Sequence, residues 1–280
     1  MKKIEKIIIT IASISAIVAV CGLLYTAFNY RQAEKEYDQI KQYASETSNN
    51  SGQQSDAEQV SGVSAIIPEE TSEEGKKELT RNYNREDFPD LEVDFASLIK
   101  KNQDTVAWLY VGSCDISYPV VQGEDNDYYM NTTFEGNRNS SGAIIMDYRD
   151  DKYLRDWNTF IYGHNMKNGS MFGSLKKILK DETLVEQEPY IYVFLPGWIY
   201  RYQIFSYYKD SPDSKMYWTA DSLQEYRQYI RDALALSVKD LDVETSEDNN
   251  MITLVTCSGT GEGKMRFFVH GEFIDRYMIE

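Results

Sequence analysis

A cysteine, an arginine and a histidine in this sequence have the means to break and remake an acyl bond: Cys257, Arg266 and His164. Cys257 ends the apolar run "MITLVT" and precedes "SGTGEGK", a loop with three glycines. A thiol at a strand end beside such a loop is open enough to react, whereas a free cysteine within a core is only a small apolar group. The thiolate is the nucleophile, and a neighbouring imidazole or guanidinium favours it. Arg266 stands nine residues on, at the start of "RFFVHGEFI". If the two runs pair as an antiparallel hairpin, Cys257 and Arg266 face each other near its mouth. Arginine stays charged and offers several donors, which suits a tetrahedral oxyanion or a backbone carbonyl. Taken alone, it would read as a surface arginine in an acidic protein.

The chain has two histidines. In that hairpin the numbers of opposed residues sum to 523, as for Cys257 and Arg266, so His270 lies opposite Thr253. Four residues along a strand is ~13 Å at ~3.3 Å each. Arg266 and His270 share a face but cannot both reach the sulfur, and His270 reads as structural. His164 lies in "FIYGHNMKNGSMFGSL", where a strand ends at Tyr162 and a glycine and an asparagine flank the histidine. A histidine on a loop leaving a strand faces solvent or a cleft, and in a cleft it is the usual proton carrier. Asp147, Asp213 and Asp221 are the aspartates to weigh as a third acid, and no spacing selects one.

Composition narrows the alternatives. A net charge of -16 argues against nucleic acid, whose phosphates need a basic surface. The three cysteines, Cys21, Cys114 and Cys257, do not make a disulfide framework, and no pair has metal-ligand spacing. No acidic stretch follows an EF-hand pattern, so neither a metal nor another cofactor is expected. Cys114, in the turn-like "VGSCDIS", reads as structural.

The elements that must position these residues follow from pattern. Ile7 to Phe28 carries no charge over 22 positions, ~33 Å of helix and enough to cross a bilayer. Lys2, Lys3 and Lys6 precede it, which favours an N-terminus inside and the bulk of the chain outside. The unbroken run and the bulky Tyr25 and Phe28 favour an anchor over a cleaved signal peptide. Outside the cell an unpaired cysteine is a liability unless it is used. Residues 29–82 are expected to form a largely disordered extracellular stalk, beginning with a charged helical stretch and continuing through the Ser-, Gln- and Glu-rich 45–78. Residues 83–280 form the folded domain, after a cytoplasmic 1–6 and an anchor at 7–28. Within it, "LEVDFASLIKKN" has helical spacing. Eight strands are expected, at 105–111, 116–121, 142–147, 158–163, 190–195, 199–208, 251–256 and 266–274. Helices follow His164 and span 220–237, the latter between the penultimate strands. Many short strands with few helices suggest a mainly β fold, a closed barrel or a sandwich.

"TLVTC" with an arginine nine residues on, and "YGHNM" upstream, resembles the sortase family of Gram-positive bacteria. "GEDNDYYM" (123–130), "YGHNMKNGSMF" (162–172) and the 220–237 helix look like class B sortases. The resemblance implies an eight-stranded sortase-type β-barrel with an N-terminal helix. It implies a membrane-anchored cysteine transpeptidase that cuts a C-terminal sorting signal after threonine. The surface protein is then joined to a peptidoglycan amine or, alternatively, a pilin lysine. By the same resemblance Cys257 is the nucleophile, His164 the general acid and base, and Arg266 the carbonyl or oxyanion stabiliser. Asn126, Met130, Tyr162 and Thr256 fall where the family contacts substrate. The rival readings are a hydrolytic cysteine protease and a tethered binding module whose cysteine is structural.

Overall fold

The computed structural model describes residues 2–46, 84–246, 248–257 and 265–279, and for Cys257 the backbone. Strands β3 (Thr105–Val111), β4 (Ile116–Val121), β5 (Ile144–Met146), β6 (Asn158–His164), β7 (Tyr190–Leu195), β8 (Trp198–Asp210), β9 (Met251–Cys257) and β10 (Arg266–Met278) close into one barrel. Its order is β10-β8-β7-β3-β4-β5-β6-β9, closing β9 onto β10. The expected mainly β, eight-stranded barrel is the one observed. Most ladders are antiparallel, but β4–β5 and β6–β9 run parallel. Parallel neighbours end on the same side, so β6 and β9 deliver their last residues together.

Side-chain alternation builds two cores from one sheet. Ile252 and Leu254 of β9 and Phe267 and Val269 of β10 enter the larger core. Met251, Val255 and Phe268 enter a second, with Phe160, Phe205 and Tyr208. Helix α5 (Leu223–Leu236) covers that second core with Tyr226, Tyr229, Ile230 and Ala233, all buried at helical spacing. Ser222 caps it, accepting from the Glu225 N–H.

Helix α1 (Lys2–Ile40) departs from the expected layout. Among the described residues it is the one helix long and apolar enough to cross a membrane, a test that an anchor and a signal sequence both pass. From Ile7 to Phe28 its large apolar side chains are exposed. Beyond them Ala33, Tyr37 and Ile40 form a buried stripe against the barrel. The folded unit therefore takes in 29–46, which the sequence assigns to a stalk, and its first residue is not 83. The helical period of that stripe is in the sequence, but its partners lie about a hundred residues away. The stalk residues 47–82 lie outside the described residues.

A second difference follows. Strand β1 (Ala44–Glu46) pairs with β2 (Leu91–Val93), so the start of "LEVDFASLIKKN" is strand, not helix. Helix α2 (Phe95–Lys101) begins after Asp94, whose carboxylate accepts from the Ser97 N–H at 2.9 Å. The stretch after His164 is a 3-10 turn at Phe172–Lys176 running into the four-residue helix α3 (Lys177–Lys180), with the short helix α4 (Thr183–Gln187) after it.

Candidate active site

The parallel β6–β9 ladder pairs Tyr162 with Val255 and His164 with Cys257. Register partners on neighbouring strands lie ~4.8 Å apart in the hydrogen-bonding direction. On the other side of β9, Phe268 pairs with Val255 and His270 with Thr253, the register anticipated from the hairpin. Continued by two residues, it brings Arg266 level with Cys257. Three adjacent strands thus carry His164, Cys257 and Arg266 in one row. His164 is the last residue of β6 and not a loop residue; the ladder with β9 carries the strand past Gly163. A Cβ at Gly163 would lie 2.6 Å from the Phe172 ring, so only glycine lets the following turn pack there.

Arg266 Nη1 donates to the Thr256 carbonyl at 3.3 Å, and the Phe267 N–H donates to Thr256 Oγ1 at 2.9 Å. Both bonds fix the end of β9 just before Cys257. Arg266 Nε is buried and has no hydrogen-bond partner among the described residues. His164 Nε2 lies 2.6 Å from the Met130 carbonyl. A carbonyl only accepts, so Nε2 carries the proton and Nδ1 is the basic nitrogen. Burial, with a contribution from the Arg266 charge, holds the imidazole below its ordinary value of 6.5, against the pull of the Met130 bond.

A cleft of about 180 Å³ opens beside this row, lined by Asn126, Asp127, Met130, Ile145, Tyr162, Tyr217 and Arg266. Four of the expected site residues, Asn126, Met130, Tyr162 and Arg266, meet on its wall. Thr256 is not among its lining residues: it is buried and its hydroxyl is used by Phe267. Asp127, Ile145 and Tyr217 escaped the sequence reading. Tyr217 packs against Phe160 and Phe268 from the segment between β8 and α5. That segment has no periodicity to mark it; an aromatic in a Ser/Asp-rich loop is its only signal.

Of the three aspartates, Asp147 alone approaches the cleft. Its buried carboxylate accepts from Arg149 Nε and Nη2 at 2.9 and 2.8 Å and from the Tyr162 hydroxyl at 3.0 Å. Burial pushes its pKa up, but those donors outweigh it and hold the carboxyl below the usual range. It steadies Tyr162 from behind and is not in contact with His164 among the described hydrogen bonds. Asp213 and Asp221 are exposed. Cys114 is buried, which pushes its thiol up to about 12, as a structural cysteine requires. Among the described residues no group of three or more acidic, cysteine or histidine side chains could hold a metal.

Asp150, behind the same loop, accepts from the Phe160 N–H at 2.6 Å. Burial, reinforced by Asp147 and Asp156, pushes it up to about 7. A carboxyl whose folded pKa is raised binds its proton more tightly in the fold, so stability falls as pH rises from about 4 to about 7. Asp150→Asn keeps the acceptor and removes the ionisation. Above pH 7 it is expected to be more stable than the parent by an amount on the order of 4 kcal/mol, read as a higher melting temperature. The two should converge near pH 4, and a pH-independent difference would contradict the assignment.

Against known proteins, the family model of the sortase domain matches residues 109–274. The chain belongs to the sortase family, in its class B. It is 33% identical over 206 residues to sortase B of Listeria monocytogenes, covering 72% of this chain and 80% of that protein. Its structure is similar to a Staphylococcus aureus sortase B–substrate complex, with a TM-score of 0.60, 31% identity, and 65% and 84% of the two chains covered. Clostridium perfringens sortase B aligns with a TM-score of 0.60 at 29% identity, over 64% of this chain and 99% of that one. The activity is therefore that of a sortase, a transpeptidase acting on surface proteins that carry sorting signals.

Proposed function

We propose that Cys257 is the nucleophile of this transpeptidase, His164 its proton carrier and Arg266 its oxyanion stabiliser. The observation that supports this most is the row His164–Cys257–Arg266 across β6, β9 and β10 at one mouth of the barrel. His164 Nδ1 takes the Cys257 thiol proton as the sulfur attacks the carbonyl of the threonine in a C-terminal sorting signal, forming a carbon–sulfur bond. Arg266 balances the oxyanion, His164 gives its proton to the leaving amine, and the carbon–nitrogen bond breaks. An amine then enters, His164 takes its proton, and the thiolate leaves. Tyr162, Met130 and Asn126 hold the signal peptide in the cleft. The acceptor is a peptidoglycan amine.

The same reading makes 7–28 a retained membrane anchor with its N-terminus inside and the barrel outside. Its support is the continuity of α1: the Asn139 amide donates to the Asn29 carbonyl at 2.9 Å, so the helix is held to the barrel from its first residue past the apolar run. The test is a peptide library offered to the detergent-solubilised full chain with and without amines, read by mass. Cleavage after threonine with amine adducts is expected. Adducts formed only with a pilin-type lysine would move the acceptor to pilin assembly, and hydrolysis under every nucleophile tried would sink the transferase reading.

A further inference from the structure

The carboxylate of Glu36, on α1, is buried with every partner on one distant loop. Its Oε2 accepts from Thr133 Oγ1 at 2.9 Å and Asn137 Nδ2 at 3.0 Å, and its Oε1 from the Glu135 N–H at 3.0 Å. A buried carboxylate is costly unless donors satisfy it, and here the loop supplies them all. One residue on, the Tyr37 hydroxyl donates to the Gly142 carbonyl at 2.7 Å and accepts from the Phe134 N–H at 3.3 Å. The helix thus holds both ends of residues 133–142.

That loop leads straight to His164. Gly142 adopts a φ of +55°, and a Cβ there would lie 2.8 Å from the Met130 oxygen and 3.0 Å from His164 Cδ2. Its backbone therefore rests on both members of the Met130–His164 hydrogen bond. The Ala143 N–H donates to the Tyr129 carbonyl at 3.0 Å, tying the loop's exit to the residue before Met130. Tyr37 reaches the other flank as well. Its ring meets Tyr118 edge-on at 5.4 Å, and the Tyr118 hydroxyl accepts from the Met171 N–H at 3.1 Å. Met171, at a φ of +50°, bridges to Asn165, the residue after His164.

We infer that the barrel-docked end of α1 is part of the active site's framework, with Glu36 and Tyr37 as positioning residues. They hold the loop and turn that set the Met130 carbonyl, and that carbonyl fixes the tautomer and direction of the His164 ring. The segment just past the membrane-crossing candidate is then a working brace of the enzyme and not a spacer. This rests on His164 being the proton carrier.

Tyr37→Phe tests it in the full chain, because phenylalanine keeps the ring against Tyr118 and removes only the hydroxyl. Misplacement of a catalytic group by ~1 Å costs up to ~10²-fold, and a partial loss, ~10-fold in kcat with KM unchanged, is expected. The ring-nitrogen NMR spectrum is simple to assign, with two histidines in the chain. The His164 Nε2–H signal should give way to a tautomeric average while that of His270 stays put. Glu36→Gln, which keeps one acceptor, should move both readouts in the same direction by less, and it carries the test if the first variant does not fold. A brace that only stabilises the fold would lower the melting temperature and leave kcat and tautomer as they were; that result overturns the inference. His164→Ala, run beside them, keeps the failures apart: if it turns over normally the assignment of His164 falls, and if it is dead while Tyr37→Phe is unchanged only the positioning role falls.

Discussion

His164→Ala is expected to lower kcat by ~10³- to 10⁴-fold, and His270→Ala to leave turnover within a few-fold of the parent. The two histidines are separated by their surroundings. His164 stands level with Cys257 at the strand ends beside the cleft, one nitrogen held by Met130 and the other free to exchange a proton. His270 is fully buried. Its Nδ1 is 2.9 Å from Thr253 Oγ1 and its Nε2 2.9 Å from the Tyr208 hydroxyl, and the Tyr208, Phe268, Phe205 and Tyr229 rings enclose it. Burial pushes its pKa down to about 3. It is thus neutral throughout the working range and has no route for a proton to solvent. Its removal leaves a cavity, takes the ring-nitrogen partner from the Tyr208 hydroxyl and leaves Thr253 Oγ1 with its bond to Asn158, a loss of about 2–4 kcal/mol read by denaturant unfolding. Because its folded pKa is depressed, its contribution is present above pH 6.5 and is lost as pH falls towards 3.

Cys257→Ala should match His164→Ala, and the double variant should be no worse than either. Residues that act as a unit in one chemical step are strongly non-additive. Thiol alkylation of Cys257 should inactivate in the same way. Equal losses of turnover in well-folded His164 and His270 variants would overturn the assignment, and an active Cys257→Ala chain would return the protein to a binding role.

The barrel was legible because its strands are short, alternating and bounded by turn residues, so β3, β4 and β7 fall at the expected limits. The position sum of 523 was legible for the same reason: a glycine-rich loop between two β-branched and aromatic runs leaves few registers, and the observed β9–β10 ladder keeps it. The parallel pairing of β6 with β9 was not. It joins segments about ninety residues apart, and nothing in either strand names its partner. Only the resemblance put His164 beside Cys257 before the ladder did. Glu36 and Tyr37 were missed for a related reason: a charged helix with a narrow apolar stripe looks like a spacer until the loop at 133–142 arrives to cover it. Leu91–Val93 shows the opposite error, where local helical spacing lost to pairing with a strand from the far side of residues 47–83.

Arg266→Lys is expected to lower kcat ~10²-fold with little change in KM, the loss typical of one oxyanion donor. Lysine keeps the charge but not the fork. In the parent one arm of that fork, Nη1, holds the Thr256 carbonyl, which leaves the buried Nε unpartnered among the described residues and available to charge that develops only during attack. A single ammonium cannot fix the end of β9 and meet an oxyanion in the same geometry. Arg266→Gln separates the two contributions. It removes the charge that helps depress His164, so the pH–rate limb set by that imidazole should move up towards 6.5, whereas in Arg266→Lys it should stay in place. If both variants shift the limb alike, the charge and the fork are not separable and Arg266 acts only as a counter-charge. If neither loses turnover, the oxyanion is stabilised elsewhere, and the row across β6, β9 and β10 is two residues long.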